Sequence, residues 1–322
     1  MAADMKKLIS VCIPTFGRSV YLQAAVKSVL EQDHRPLEIL VGDDSPNEEN
    51  DTFVASLPRD EGLTVRYLPN PVRLGQADNV NRLLKSSRGD WVVILHDDDY
   101  LLRGALGRLF DAVQRYPDAI AAFGLQAVVD QDGNFDWKAS AASNRDFGRT
   151  AELAGPQTSR LASAVSGQFP NNAFLLRGEI ARHVLYDSYG EVKDACDYDF
   201  GIRVALSPAV GSFVLVDDYV STYRVWGAQI SKDSSTGIAA LRILKALQPR
   251  TPEETEAIRR AIARHVPIAV SEHARVHQRL ASLKLLFSSS YWESPKLAQA
   301  LYHIMLIASP GMVRSLKSRL RS

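Results

Sequence analysis

Trp91-Val92-Val93-Ile94-Leu95 runs straight into His96-Asp97-Asp98-Asp99, and the reading of this junction decides the fold. Five apolar residues after the Gly89-Asp90 turn predict a strand buried on both faces, and three carboxylates mark its end. Upstream, residues 8–13 predict a second buried strand closed by Pro14. Residues 21–30 place Leu22, Ala25, Val26, Val29 and Leu30 at helical spacing. Residues 37–41 predict a strand ending in Gly42-Asp43-Asp44-Ser45-Pro46. A weak helix then precedes a strand over 63–68, and residues 75–87 predict a helix with Val80, Leu83 and Leu84 on one face. Downstream, 103–116 predict a helix and 119–129 a strand, before the turn residues 130–134. This alternation predicts an α/β fold with a mostly parallel central sheet flanked by helices. Ligands of such sheets bind beyond the carboxyl ends of the strands.

The rest of the chain is less regular. Residues 136–170 are rich in Ala, Ser, Gly and Asn without a clear period, and predict loop and irregular helix. Short strands are expected over 173–176 and 211–216, with a helix over 197–206. From about Thr236 the chain turns helical, and Thr251-Pro252-Glu253-Glu254 predicts a helix start with Thr251 as N-cap. Two regions follow: a sheet-bearing domain over 1–230 and a helical C-terminal region over 231–322.

Composition narrows the function classes. The 322 residues are 46% hydrophobic and 23% charged, as in an ordinary globular chain. A net charge of +1 gives no global field for nucleic acid. Two cysteines, Cys12 and Cys196, make no disulfide framework and no metal spacing, which suits a reducing, cytoplasmic compartment. The apolar run at 8–13 is too short for a signal-peptide core or a membrane span.

The acidic strand ends carry the chemistry. Three consecutive carboxylates repel one another, and a hard divalent cation with oxygen ligands offsets that. Alternation along an extended segment predicts that Asp97 and Asp99 share the cation while Asp98 faces elsewhere. The competing reading is a solvated acidic turn. Asp43 and Asp44 can accept from a base N–H or a ribose hydroxyl, or else form an Asx turn into Pro46.

Val11-Cys12-Ile13-Pro14-Thr15-Phe16-Gly17-Arg18, Val41-Gly42-Asp43-Asp44-Ser45, Gly75 with Asn81, and Asp97-Asp98-Asp99, in this order, resemble the motifs of family 2 glycosyltransferases. The resemblance covers roughly residues 8–226. It implies the GT-A fold, a nucleotide-sugar donor (usually UDP-linked), Mn2+ or Mg2+, and transfer with inversion to an acceptor hydroxyl in cell-surface glycan or glycoconjugate synthesis. Under it, Pro14, Thr15, Phe16 and Arg18 line the nucleotide pocket and Asp43 or Asp44 holds the base. Gly75 starts a helix near the nucleotide, with Asn81 as a matching asparagine. Arg73 stands where the family often has Asn, and touches either diphosphate or solvent. Asp97 and Asp99 correspond to the Asp-x-Asp element that contacts ribose and metal, with Asp98 beside them.

Cys196-Asp197-Tyr198-Asp199-Phe200 occupies the place of the family's Glu-Asp pair. Cys196 replaces the Glu, and Asp197 matches the catalytic Asp, with Asp194 and Asp199 as nearby competitors and a helix N-cap as the other reading of Asp194 or Asp197. Ser221-Thr222-Tyr223-Arg224-Val225-Trp226 resembles the Tyr-Arg-x-His segment with Trp226 in place of His, so Trp226 is assigned to the sugar or acceptor together with Asp199 and Asn172. His96 is read as structural. A phospho-acceptor domain would want a Lys at a late strand end, and residues 119–135 offer none. A nicotinamide enzyme would need Gly-x-Gly-x-x-Gly after the first strand, where the chain has Thr15-Phe16-Gly17-Arg18-Ser19-Val20. A non-catalytic nucleotide- or carbohydrate-binding protein of the same fold is the alternative that the lost Glu and His favour.

Residues 297–307 are apolar, and Arg314, Lys317, Arg319 and Arg321 follow among Val313, Leu316 and Leu320. This pattern predicts a basic amphipathic helix lying on an anionic membrane, or else one packed on the catalytic domain or in a dimer.

Overall fold

Eight strands form one sheet: β1 (Ile9–Thr15), β2 (Leu37–Asp43), β3 (Leu63–Pro69), β4 (Trp91–Ile94), β5 (Ala119–Val129), β6 (Gly155–Pro156), β7 (Leu175–Arg177) and β8 (Ser212–Arg224). Their order is β3-β2-β1-β4-β7-β5-β8-β6. β3, β2, β1 and β4 run parallel. The antiparallel β7 separates β4 from β5, so β5 and β8 share the common direction and only β7 and β6 oppose it. The helices are α1 (Ser19–Leu30), α2 (Glu49–Ala55), α3 (Gln76–Ser86), α4 (Ala105–Arg115), α5 (Trp137–Asp146), α6 (Arg160–Ser166), α7 (Gly178–Val184), α8 (Cys196–Leu206), α9 (Thr236–Ala246), α10 (Pro252–Arg275), α11 (Arg279–Leu286) and α12 (Leu297–Ala308). The computed structural model describes residues 7–46, 49–58, 60–188, 190, 192–225, 236–293 and 297–309. The chain divides into two units, Met1–Ser188 with Phe200–Gln229, and Tyr189–Asp199 with Ile230–Ser322.

In the first unit the central strands are buried on both faces, which is why they read as continuous apolar runs. Ile9, Val11 and Ile13 of β1 and Ile39 and Val41 of β2 pack with Leu22, Val26 and Val29 of α1 and Leu106 and Leu109 of α4. Burying each such side chain contributes about 1.5–3 kcal/mol. Two polar residues interrupt the pattern. Glu38 accepts from Ser10 Oγ at 2.6 Å, Arg66 at 2.9 Å and the Arg88 N–H at 3.0 Å, which ties β1, β2, β3 and the approach to β4 together. At Gly42 an added Cβ would lie 2.4 Å from Asn79 Oδ1 and 2.9 Å from Leu83 Cγ, so only glycine lets α3 close on β2.

Residues 136–170 hold more order than their composition predicts. They contain α5, α6 and the short β6. Asp136 caps α5 by accepting from the Ala139 N–H at 2.8 Å, and Ser159 caps α6 by accepting from the Ala162 N–H at 3.1 Å. Small Ala and Ser side chains pack closely without leaving an apolar period. The strand expected over 211–216 continues to Arg224, because it pairs with β5 up to Val129.

In the second unit Thr251 caps α10, accepting from the Glu254 N–H at 3.1 Å, with Pro252 in the first turn. Glu272 accepts from the Gly237 and Ile238 N–H groups, each at 2.8 Å, and so closes the start of α9. Leu241, Val266, Val270, Leu286, Tyr291, Leu306 and Ile307 form the core of this unit. Among the described residues no helix is long and apolar enough to cross a membrane.

Candidate active site

The carboxyl ends of β1, β2 and β4 lie side by side, since β1 pairs with both neighbours in parallel. The first unit therefore gathers the side chains that follow them. Thr15 Oγ1 donates to Asp97 Oδ2 at 2.7 Å. Arg18 donates from Nε to the same oxygen at 3.2 Å and from NH1 to Asp98 Oδ2 at 2.8 Å, and its NH2 pairs with Asp97 Oδ1. Asp97 is thus held inward, at 1% exposure. Burial pushes its pKa up to about 6, against the opposing pull of Arg18.

Asp43 is also buried. It accepts from the Ser45 N–H at 2.7 Å, from Asn50 at 2.7 Å and from the Tyr67 hydroxyl at 2.9 Å. Asp44 accepts from Asn70 at 2.7 Å and from the Leu74 and Gly75 N–H groups at 3.1 and 2.8 Å. Asp44 therefore shapes the loop into α3, whose first residue follows Gly75 at φ +84°. Pro14 pairs with Gly42 across β1 and β2. At the outer edge, the Arg73 guanidinium lies 3.9 Å from the centroid of the exposed Phe16 ring, a cation–π contact between the two loops.

The acidic triplet differs from the alternation that its sequence predicts. β4 ends at Ile94, and residues 96–99 turn, with the Asp99 N–H bonded to the His96 carbonyl at 3.1 Å. A turn breaks period-two geometry. Asp97 consequently faces Thr15 and Arg18, while ligand atoms of His96, Asp98 and Asp99 lie within 4.8 Å of one another. The alternation expected of Asp97 and Asp99 is thus broken by the turn, and the residues whose ligand atoms lie close enough to hold one ion together are His96, Asp98 and Asp99. Imidazole nitrogen and carboxylate oxygen together form a donor set suited to a divalent transition ion.

Asp99 is buried, accepts from the Arg224 N–H at 2.8 Å and from Asn172 Nδ2 at 2.8 Å, and has its pKa pushed up to about 7 by burial and then by the charge of Asp98. Asn172 Nδ2 also lies 3.1 Å from His96 Nδ1, which brings Asn172 to the triplet itself. Arg224 is the organiser that spacing does not reveal. It is buried at the end of β8 and donates to the carbonyls of Asp98, Asp130 and Gln131 at 2.7, 3.0 and 2.9 Å. Its sequence signal is its place as the Arg of the segment that resembles Tyr-Arg-x-His.

Asn81 stands apart from this rim. Its amide closes on the backbone of Tyr186, with Nδ2 donating at 2.9 Å and Oδ1 accepting at 2.6 Å, because it lies on the buried face of α3. Asn81, expected among the nucleotide contacts, thus uses its amide as a clamp within the fold. Asp197 and Asp199 lie in the first turn of α8, in the stretch assigned to the second unit, with Asp199 buried and Asp197 half-buried. Trp226 lies outside the described residues, as does the basic segment over 310–322.

A family model described as glycosyl transferase family 2 matches residues 10–170. The chain is 33% identical over 147 residues to a GalNAc(5)-diNAcBac-PP-undecaprenol beta-1,3-glucosyltransferase of Campylobacter jejuni, a match covering 43% of this chain and 47% of that protein. It is 28% identical over 116 residues to an abequosyltransferase of Salmonella typhimurium, covering 35% and 34% respectively. The matched stretch spans less than half the length of either relative. Among solved structures, S. aureus TarS 1–349 in complex with UDP is similar with a TM-score of 0.64 at 14% identity, over 93% of this chain and 87% of that one. A mannosyltransferase from Pyrobaculum calidifontis in complex with GDP-Man and Mn2+ gives 0.58 at 15% identity, over 95% and 81%. At such identities the likeness shows a shared fold.

Proposed function

The chain belongs to glycosyl transferase family 2, and on that premise we propose that it is a metal-dependent, inverting glycosyltransferase. It moves a sugar from a nucleotide-sugar donor, with UDP as the favoured nucleotide, to an acceptor hydroxyl. One observation carries the reading. Thr15, Arg18, Asp44, Asp97, Asp98 and Asp99 gather beyond the carboxyl ends of parallel strands, where a sheet of this kind takes its ligand.

Within this reading Pro14, Thr15, Phe16 and Arg73 line the nucleotide, and Asp43 or Asp44 holds the base. Support for UDP comes from the TarS complexes with UDP and UDP-GlcNAc. His96, Asp98 and Asp99 would hold Mn2+ or Mg2+, and the nitrogen donor makes Mn2+ the better fit, since Mg2+ favours oxygen ligands. Bound there, the ion supplies positive charge to the departing nucleoside diphosphate. Arg18 fixes Asp97 and orients Asp98, so the carboxylates stay aimed. Asp197 takes the proton of the acceptor hydroxyl as that oxygen attacks the anomeric carbon and the bond to the diphosphate breaks. Asn172, Asp199 and Trp226 are assigned to sugar and acceptor. The acceptor is a glycan or lipid-linked hydroxyl, a choice supported by the undecaprenol-linked substrate in the name of the Campylobacter relative.

Asp197→Asn is expected to lower transfer by about two to four orders of magnitude while calorimetric UDP binding is kept. Near-full turnover would remove Asp197 from the base role. A wild-type chain that binds UDP-sugar yet neither transfers nor hydrolyses it would be the non-catalytic binding protein instead.

A further inference from the structure

The first unit buries a cation with no carboxylate beside it. Arg149, in the loop after α5, is 5% exposed, and among the described residues no acidic side chain pairs with it. Burial pushes its pKa down to about 9. Its Nε donates to the Gln168 carbonyl at 2.8 Å and its NH2 to the Gly167 carbonyl at 2.9 Å, which closes the loop. Its NH1 instead donates to Oε1 of Gln126, on β5, at 2.8 Å. Asn144 of α5 pins the backbone of Gln126, accepting from its N–H at 3.0 Å and donating to its carbonyl at 2.8 Å.

A guanidinium donates and never accepts, so the Gln126 atom that meets it is the oxygen. Nε2 is then left to face Asn172 Oδ1 at 3.5 Å and Ser221 Oγ at 3.4 Å. These middle links are long, and they select an orientation more than they add strength. Asn172 meets the donor with its oxygen and turns its Nδ2 to Asp99 Oδ2 at 2.8 Å, with His96 Nδ1 at 3.1 Å. An ionised carboxylate accepts and never donates. The relay thus begins on a group that only donates and ends on one that only accepts. One orientation of the two amides satisfies every link. Asn172, Ser221 and Arg149 are buried, so water competes little with these bonds.

We propose that Gln126, held by Arg149, is a positioning residue that aims Asn172 at Asp99 and His96 and so tightens the grip of His96, Asp98 and Asp99 on a divalent ion. The inference rests on the ion-holding role proposed above for those three residues. Hydrogen-bond partners of ligating side chains fix their direction, and losing one weakens metal affinity about 10–100-fold.

The test reads the Mn2+ concentration that half-saturates UDP binding, from calorimetric titrations of UDP into the full chain over a Mn2+ series. Gln126→Met keeps the side-chain length and removes the amide. It is expected to raise that concentration about 10–100-fold, with UDP binding restored once Mn2+ is in excess. Arg149→Met is expected to shift it in the same direction but also loses the loop bonds, so Gln126→Met, which leaves them in place, carries the test by itself. Gln168→Ala removes a neighbouring bond to the Gly148 carbonyl at 2.9 Å and leaves the relay whole. It is expected to lower the melting temperature without moving the Mn2+ midpoint. A folded Gln126→Met with the wild-type midpoint would overturn the relay alone. So would a loss of UDP affinity that excess Mn2+ does not restore, or an equal shift in Gln168→Ala. Wild-type UDP binding indifferent to Mn2+ would overturn the ion-holding reading and the relay with it.

Discussion

Asp97 is almost fully buried, and the cation that balances it is Arg18, which also reaches Asp98. Removing one partner of such a pair leaves an uncompensated charge out of water. Arg18→Ala is therefore expected to cost about 3–5 kcal/mol, read as a lower urea midpoint. The same substitution in an Asp97→Asn background should cost much less, and equal losses in the two backgrounds would contradict this account of the rim. The triplet and its position at a strand end are legible in the sequence. Which carboxylate faces which neighbour is not, because alternation presumes extended backbone and the chain turns at Asp97 and Asp98. His96 joins the acidic group only through that turn. Arg224 meets Asp99 across 125 residues, and nothing in local spacing announces a contact of that span.

At the scale of elements, β1 through β5 and α1, α3 and α4 follow from periodicity, because strands buried on both faces and amphipathic helices each imprint a pattern. α5 and α6 leave no such imprint. Their segments are built from small residues, and their starts depend on single caps at Asp136 and Ser159. The last part of β8 is set by its pairing with β5 and not by its own composition. Close packing of α3 on β2 rests on Gly42. Gly42→Ala places a methyl group against Asn79 and Leu83 and should destabilise the chain by about 1–3 kcal/mol, measured by chemical unfolding. A loss of only a few tenths would mean that α3 shifts freely, against the close approach described here.

Across the whole molecule the second unit carries its own acid sensitivity. Burial holds the pKa values of His265 and His303 down at about 4, against 6.5 when unfolded. The neutral rings suit the fold, and His303 sits between the Ser271 and Tyr291 hydroxyls at 2.9 and 2.8 Å. The unfolded chain therefore binds more protons between these values, and stability present above pH 6.5 is lost as pH falls toward 4, on the order of 1 kcal/mol or more for each histidine. His265→Gln with His303→Gln should flatten that slope in melts followed by circular dichroism, and an unchanged slope would assign it to other groups. The central claim, that the strand-end carboxylates hold a divalent ion and a nucleoside diphosphate together, is tested most directly by calorimetric titration of UDP into the full chain with Mn2+ and with chelator, repeated on Asp99→Asn. The account predicts binding that needs Mn2+ and is lost in the variant. UDP binding of equal strength with chelator, or unaltered in Asp99→Asn, would contradict it.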